Sequence, residues 1–222
     1  MPSTPPALLF DLDGTLIDSI ELILGAMRHA FTGFDGNAPT DEQWRAGIGI
    51  PLHTALRQYA PDDAEVERLF GRYREYQLEH HDRLVRTYEG ISESIHAFSA
   101  AGHPLALVTS KSDWMAEKAL KLVELDQQIP VIVGCDSCVN HKPHPEPVER
   151  ALALLGARAD NALFIGDSPH DVQSGRAAGV FTVGVSWGAF SREEMLSSGA
   201  DVVIDRPSEL SGAVAAYSSR LG

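Results

Sequence analysis

The segment Ala7-Leu-Leu-Phe-Asp-Leu-Asp-Gly-Thr-Leu16 consists of a short apolar run followed by two carboxylates that are one residue apart. Such a run predicts a buried strand. Because side chains alternate along a strand, Asp11 and Asp13 begin on the same side of the chain. Gly14 then permits a sharp turn. The segment therefore predicts two acids at the carboxyl end of a strand, where open α/β sheets bind their ligands.

The two carboxylates of this segment repel each other, so we expect a shared proton or a cation to compensate their charge. For an Asp-x-Asp pair by itself, the alternative is a solvated turn in which Asp and Gly only break the strand. The apolar run before the pair and the Gly-Thr-Leu sequence after it favour the functional interpretation.

The composition is that of an ordinary soluble protein, with 222 residues, 44% apolar and 22% charged. A formal net charge of -13 disfavours nucleic acid as a partner, because nucleic-acid binding needs a basic surface. Residues 1–6 have no basic region, no stretch is long enough to span a membrane, and two cysteines do not make a disulfide framework. We therefore expect a cytoplasmic protein with no membrane partner.

Strand and helix patterns alternate along most of the chain, which predicts an α/β fold with a doubly wound parallel sheet. Further strands are expected at 103–109, 131–133, 162–167, 181–185 and 201–204. Residues 16–85 show four helical patterns and no strand, and Asp18 or Ser19 is expected to cap the first helix. We predict an α/β core domain at 1–15 and 86–222, interrupted by a helical cap domain at 16–85.

Polar groups follow three of the predicted strands. They are Asp11 with Asp13, Thr109 with Ser110, and Asp167 with Asp171 one helical turn later. Because the carboxyl ends of parallel strands share one edge of the sheet, these groups are expected in one crevice. Lys142, in a loop before a helix, adds an ammonium.

This set of groups suits phosphoryl transfer. Mg²⁺ prefers oxygen ligands and usually keeps a substrate phosphate in its shell, and Asp11, Asp167 and the main-chain carbonyl of Asp13 could hold it. Lys142 and Thr109 would bind the phosphate oxygens. One carboxylate could then act as a nucleophile while its partner transfers a proton.

The residues at these positions resemble the four ordered motifs of the haloacid dehalogenase-like phosphatase superfamily. The motifs are Asp-Leu-Asp-Gly-Thr-Leu at 11–16, the strand-ending Thr109, Lys142-Pro143, and Gly-Asp-Ser-Pro-His-Asp at 166–171. The resemblance covers essentially the whole chain, and the helical insertion resembles the C1-type cap of that superfamily. It implies that Asp11 forms an aspartyl-phosphate and that Asp13 protonates the leaving group and then activates water.

The resemblance also implies the remaining roles. Thr109 and Lys142 would bind the phosphoryl group, Asp167 would bind the metal, and Asp171 would support it directly or through another group. The expected catalytic residues are Asp11, Asp13, Thr109 and Lys142; the expected substrate-binding residues are Thr15, Thr109, Ser110 and Lys142; the expected Mg²⁺ ligands are Asp11, Asp13, Asp167 and Asp171.

Segments 80–90 and 142–147 look most like the phosphoglycolate phosphatase subgroup, which also contains bacterial inorganic pyrophosphatases. Asp13 argues against the dehalogenases, and a loop at 47–53 without Arg argues against sugar phosphomutases. Phosphoglycolate, pyrophosphate and sugar phosphates remain open as substrates, and a monomer or a homodimer as the oligomeric state. A phospho-accepting signalling domain also uses Asp and Mg²⁺, but the helical insertion and Asp13 disfavour it.

Several other residues have more than one interpretation. Cys135, Cys138, His141 and His144 are of the types that bind zinc, but their even spacing favours an ordinary loop. His80 and His81 could stabilise the C-terminal end of a helix, where positive charge is favourable, or they could act at a hinge between domains. Lys111, just after Thr109 and Ser110, could reach the substrate, but an exposed loop lysine is the favoured interpretation. Trp44, Trp114 and Trp187 are expected in the core or between domains.

Overall fold

The computed structural model describes residues 5–219. Two short stretches lie outside this range. They are residues 1–4, which belong to the stretch 1–6 with no basic region, and residues 220–222, at the end of the expected core domain. The strands are β1 (Ala7–Phe10), β2 (Ile17–Asp18), β3 (Arg86–Thr87), β4 (Leu105–Val108), β5 (Val131–Val133), β6 (Ala162–Gly166), β7 (Phe181–Val185) and β8 (Val202–Ile204). The α-helices are α1 (Ile20–Ala30), α2 (Asp41–Arg45), α3 (Leu52–Leu56), α4 (Asp63–Leu84), α5 (Ile91–Ala100), α6 (Asp113–Leu122), α7 (Glu146–Leu155), α8 (Pro169–Ala177), α9 (Arg192–Ser197) and α10 (Leu210–Ser218).

Six strands form one parallel sheet in the order β5-β4-β1-β6-β7-β8, which confirms the predicted doubly wound sheet. Strand β1 lies at its centre, between β4 and β6. On one face, Leu8 and Phe10 pack in a core with side chains from α5, α6 and α10. On the other face, Ala7 and Leu9 pack with side chains from α7. Because both faces of β1 are buried, its sequence is continuously apolar instead of alternating.

A short antiparallel ribbon joins the start and the end of the helical insertion. Ile17 pairs with Thr87, and Asp18 pairs with Arg86. The expectation of no strand between residues 16 and 85 was therefore wrong. Two residues are too few to produce an apolar pattern, and this strand forms because its partner lies almost 70 residues away along the chain.

Helices α1 to α4, called here the helical segment (residues 20–84), pack around their own apolar cluster. Leu24, Trp44, Leu56 and Leu69 lie in this cluster, which is separate from those of the sheet. Asp62 caps α4, since its carboxylate accepts a hydrogen bond from the main-chain N–H of Glu65. Within residues 5–219, no helix combines the length and the apolar character needed to cross a membrane.

The burial of β6 leads to a prediction about stability. Leu163 is fully buried in the centre of the sheet, so Leu163→Ala should lower the free energy of unfolding by about 2–5 kcal/mol. Leu154 on α7 is 57% exposed, and Leu154→Ala should change it by less than about 0.5 kcal/mol. Urea denaturation of both variants measures the difference. Equal effects would contradict the placement of β6 at the centre of the core.

Candidate active site

The polar groups predicted at the strand ends meet at the carboxyl edge of the sheet. Asp11 directly follows β1, Thr109 follows the neighbouring β4, and Asp167 follows β6 on the other side of β1. Asp171 lies in the first turn of α8, which begins just after Asp167. Three adjacent strands, β4, β1 and β6, thus end at this crevice. The order of strands in the sheet reverses direction at β1, which is where open α/β sheets bind their ligands.

Lys142 connects two of the carboxylates. Its Nζ donates to Asp11 Oδ1 at 2.8 Å, to Asp171 Oδ1 at 2.6 Å and to the carbonyl oxygen of Val108 at 3.3 Å. Burial alone would lower the pKa of Lys142, but the charges of Asp11 and Asp171 raise it above its ordinary value. The ammonium is therefore charged and held at the centre of the crevice.

Asp11 and Asp167 are unusually hard to ionise. Burial raises the pKa of Asp11 to about 7, although Lys142 acts in the opposite direction. Burial and the charges of Asp11 and Asp171 also raise the pKa of Asp167 well above its ordinary value. Three acids and one ammonium leave an excess of negative charge that a cation would offset.

Asp11, Asp167 and Asp171 form the candidate metal site. Each offers a carboxylate oxygen, and the three oxygens lie within 4.8 Å of one another. Oxygen ligands with a negative charge suit a hard divalent cation. These residues could therefore hold a metal ion.

Both carboxylate oxygens of Asp171 accept hydrogen bonds. Oδ1 accepts from Lys142, and Oδ2 accepts from the main-chain N–H of Ser168 at 3.0 Å and from its hydroxyl at 2.6 Å. Ser168 in turn caps α8 together with Asp171. This arrangement favours a role for Asp171 in positioning Lys142 and α8.

Asp167 is oriented by two donors and two glycines. The hydroxyl of Thr15 donates to Oδ1 at 3.2 Å, and the N–H of Ala189 donates to Oδ2 at 2.7 Å. A Cβ atom at Gly14 or Gly188 would collide with Oδ2. A glycine is therefore needed at position 14 for two reasons. Its φ of +81° makes the turn, and its missing side chain leaves room for Asp167. Thr15, expected to bind substrate, directs its hydroxyl to Asp167, and its substrate-binding role stays a prediction.

Asp13 has different neighbours from Asp11. Its Oδ1 accepts from the Ser19 hydroxyl at 2.6 Å, and its Oδ2 lies 3.0 Å from Lys111 Nζ. Ser19 is the N-cap residue of α1, but its side chain makes no capping hydrogen bond, because its hydroxyl donates to Asp13 instead. The expectation that Lys111 is exposed was wrong, as its side chain is only 7% exposed. The closeness of Lys111 to Thr109 in the sequence was the signal for the alternative, a position at the site.

The two hydroxyl residues after β4 have separate partners. Thr109 is buried, and its Oγ1 accepts from the main-chain N–H of Lys111 at 3.2 Å. Ser110 Oγ donates to the carbonyl oxygen of Gly49 at 2.5 Å. Ser110 thus links the sheet edge to the loop between α2 and α3.

A cavity of about 340 Å³ lies between the sheet edge and the helical segment. Asp11, Asp13 and the residues after β4 line one side, and the loop at 47–53 and helix α4 line the other. The set of lining residues includes Thr109, Ser110, Lys111, Trp114, Ile48, Tyr73, Arg74 and Gln77. The groups that would perform chemistry therefore open into a space of the size of a small-molecule site.

The tryptophans occupy three different environments. Trp44 is buried within the helical segment as expected, and Trp187 is partly buried and donates from Nε1 to the Thr15 carbonyl oxygen at 3.1 Å. Trp114 is 49% exposed and lies beside the cavity against Arg74 of the helical segment, so of its two expected positions, the core and the boundary between domains, the structure excludes the core. Residue type alone did not distinguish these positions.

The cysteine and histidine residues at 135–144 do not come together. Among residues 5–219, the acidic trio is the one cluster of His, Cys, Asp or Glu side chains close enough to share a metal ion. The structure therefore favours the ordinary loop over the zinc interpretation.

His81 lies in the last turn of α4, and its side chain is buried. Nδ1 is 2.8 Å from Asp82 Oδ1, which also accepts from Lys118 on α6. Burial lowers the pKa of His81, which disfavours the charged form that the helix-dipole explanation needs. A role of His80 and His81 at a hinge stays a prediction.

Comparison with known proteins agrees with this geometry. The family model of the haloacid dehalogenase-like hydrolases matches residues 8–185. The chain belongs to the haloacid dehalogenase-like hydrolase family. It is therefore an enzyme of the hydrolase class, as predicted from the motifs.

Individual known proteins are similar to this one over almost the whole chain. The pyrophosphatase PpaX of Bacillus cereus (strain AH820) is 38% identical over 202 residues, which cover 91% of this chain and 93% of that protein. The crystal structure of a predicted phosphatase from Clostridium acetobutylicum has a TM-score of 0.84 at 26% identity and covers 96% of this chain and 99% of that one. A predicted phosphoglycolate phosphatase from Haemophilus somnus 129pt has a TM-score of 0.86 at 22% identity, with 96% and 99% covered, and shows the same fold.

The contacts of Lys142 lead to a prediction about stability. Lys142→Met removes the ammonium and leaves Asp11 and Asp171 buried without a cation. At pH 7 the free energy of unfolding should fall by about 3–5 kcal/mol. The loss should be smaller at pH 5, because the pKa of Asp11 is raised by burial to about 7 and its carboxyl takes up a proton more readily there.

Lys118→Met is the matched control, because Lys118 pairs with Asp82 at the surface. Lys118→Met should lower the free energy of unfolding by less than about 1 kcal/mol at both pH values. Denaturant titrations of both variants at pH 5 and pH 7 measure these differences. A Lys142→Met loss as small as that of the control would contradict the central role of the ammonium.

Proposed function

We propose that this protein is a cytoplasmic Mg²⁺-dependent phosphohydrolase that cleaves a small phosphorylated substrate through an aspartyl-phosphate on Asp11. The observation that carries the proposal is the asymmetric environment of Asp11. Its Oδ1 is held by Lys142, whereas Oδ2 accepts no hydrogen bond from residues 5–219, and Asp11 lines the cavity. A fixed carboxylate with one unoccupied oxygen is suited to attack phosphorus.

Lys142 and Thr109 would bind the transferred phosphoryl group. Lys142 already lies against Asp11, and Thr109 is the first residue after the neighbouring strand. Their charge and hydroxyl would face oxygens that become more negative as the phosphoryl group is transferred.

Asp13 would act as the proton donor and then as the base. It lines the cavity with Asp11 but contacts Ser19 and Lys111 instead of Lys142. The two acids therefore have different electrostatic surroundings, which is the condition for different roles. Lys111 and Ser19 would hold the Asp13 carboxyl in place while it transfers a proton.

Asp11 and Asp167 would hold Mg²⁺, with Asp171 nearby and the main-chain oxygen of Asp13 as a further ligand. In support, three carboxylates approach within 4.8 Å, and the Asp13 carbonyl oxygen accepts no hydrogen bond within residues 5–219. When bound, the metal would neutralise the charge of the phosphate beside the carboxylates. Asp167 is oriented for this role by Thr15 and Ala189.

Residues 16–85 would form a cap domain over a core domain of residues 1–15 and 86–222. The helical segment has its own apolar cluster, and the ribbon of β2 and β3 joins its two ends. Ser110 contacts Gly49 across the cavity. Closure of such a cap would exclude water until the phosphoenzyme has formed.

Pyrophosphate and phosphoglycolate are the first substrates to consider. The 38% identical relative is named a pyrophosphatase, and this similarity extends over most of both chains. The similarity to the predicted phosphoglycolate phosphatase, at 22% identity, supports the fold alone. Pyrophosphate therefore has the stronger support, with phosphate monoesters as the alternative.

A phosphate-release screen with Mg²⁺ tests the proposal. It should compare pyrophosphate, 2-phosphoglycolate and sugar phosphates, each with and without a chelator. Asp11→Asn should lower turnover of every substrate at least about 10⁴-fold because the nucleophile is lost. Full activity of Asp11→Asn, or activity that survives chelation, would contradict the mechanism.

Asp13→Asn should affect both chemical steps without removing the nucleophile. Turnover should fall about 10²–10⁴-fold, since an amide neither donates the proton nor activates water. Rapid-quench measurement should still detect phosphorylated protein, which forms and decays slowly. Unchanged rates of both steps would exclude Asp13 as the proton-transfer group.

A further inference from the structure

Arg74 extends from helix α4 towards the sheet edge and is held in place on several sides. Its Nη1 donates to Gln77 Oε1 at 2.7 Å, and its Nη2 donates to Ser112 Oγ at 3.0 Å. The guanidinium carbon lies 5.2 Å from the ring centres of both Phe70 and Trp114. Two rings and two neutral oxygens therefore fix the orientation of this cation.

The charge of Arg74 is not compensated by an ion pair. Its hydrogen bonds within residues 5–219 go to an amide and a hydroxyl, and no carboxylate there forms a salt bridge with it. Asp13 and Asp136 attract it only from a longer range, and burial lowers its pKa below the ordinary value. A half-buried guanidinium without a carboxylate is a ready binding site for an anion.

Arg74 lines the same cavity as Asp11, Asp13 and Lys111. Of the two lysines at the base of the site, Lys111 pairs with Asp13 and Lys142 pairs with Asp11 and Asp171. Arg74 belongs to the opposite wall, which the helical segment provides. A phosphoryl group placed on Asp11 would therefore direct the remainder of the substrate towards the wall that carries Arg74.

We propose that Arg74 binds an anionic group on the leaving-group side of the substrate and so selects substrates whose leaving group carries a charge of its own. This inference rests on the proposed phosphohydrolase function and adds to it the chemical class of the leaving group. A carboxylate and a second phosphate share this chemistry, because both accept two parallel hydrogen bonds from a guanidinium.

A structural explanation also exists for Arg74. Its hydrogen bond to Ser112, the N-cap residue of α6, connects the helical segment to the core. If this were its only function, loss of the guanidinium would slow the hydrolysis of all substrates equally. Selection of an anion instead predicts an effect that depends on the charge of the leaving group.

The experiment measures kcat/KM of Arg74→Gln with Mg²⁺ for three substrates. Pyrophosphate has a phosphate leaving group, 2-phosphoglycolate has a carboxylate on its leaving group, and glycerol 1-phosphate has a neutral leaving group. We expect a loss of about 10- to 100-fold for a substrate with a charged leaving group and less than about threefold for glycerol 1-phosphate. Arg74→Lys should recover part of the loss, since it restores the charge without the planar geometry.

Arg68→Gln is the matched control on the same helix. Arg68 is exposed and pairs with Glu65, so this variant should leave all three kcat/KM values unchanged. Thermal unfolding of the two glutamine variants should give similar melting temperatures. Such a result excludes misfolding as the cause of a lower kcat/KM in Arg74→Gln.

The outcomes separate the two proposals. A protein that hydrolyses none of the three substrates contradicts the phosphohydrolase function itself. An active protein in which Arg74→Gln lowers all three kcat/KM values equally, or none of them, overturns the role of Arg74 alone. A selective loss for pyrophosphate or for 2-phosphoglycolate supports the role and identifies the anion as a phosphate or a carboxylate.

Discussion

The site depends on the burial of three carboxylates around one ammonium. Moving a charged group out of water costs several kcal/mol, so Asp11 and Asp171 are tolerable only because Lys142 lies between them. The Asp167 carboxylate accepts hydrogen bonds from Thr15 and Ala189, and the three acids together could still bind a cation. Burial raises the pKa of Asp11, and the charge of Asp171 adds to this effect. The same concentration of carboxylates makes this edge of the sheet a suitable place for a metal and a phosphate.

The sheet and the helical segment contribute different kinds of groups. The sheet edge supplies the carboxylates, the ammonium and the hydroxyl that phosphoryl transfer requires. The helical segment supplies an apolar wall and one fixed cation, Arg74. If Arg74 binds the leaving group as proposed, this separation would allow members of one family to share the chemistry while their substrates differ.

Sequence patterns predicted the architecture well, because strands buried on both faces leave long apolar runs and their ends lie at one edge. Asp11, Thr109 and Asp167 could be placed together on this ground alone, and the family is confirmed. The patterns were wrong for Lys111 and left open whether Trp114 lies in the core or between domains; both residues follow β4 in a polar segment. Their environments depend on Asp13 and Arg74, which lie far away in the sequence, so no local pattern reports them.

The sequence by itself determined the order of the six strands of the main sheet, the positions of the acids at strand ends and the need for a shared proton or a cation beside them. These features follow from local periodicity and from the repulsion between neighbouring charges. Only the tertiary structure decided which partner each acid has. It placed Lys142 on Asp11, Lys111 and Ser19 on Asp13, and left Arg74 without a carboxylate. The physical reason is that the energy of a buried charge depends on atoms within a few ångströms, and the fold brings these atoms together from distant parts of the chain.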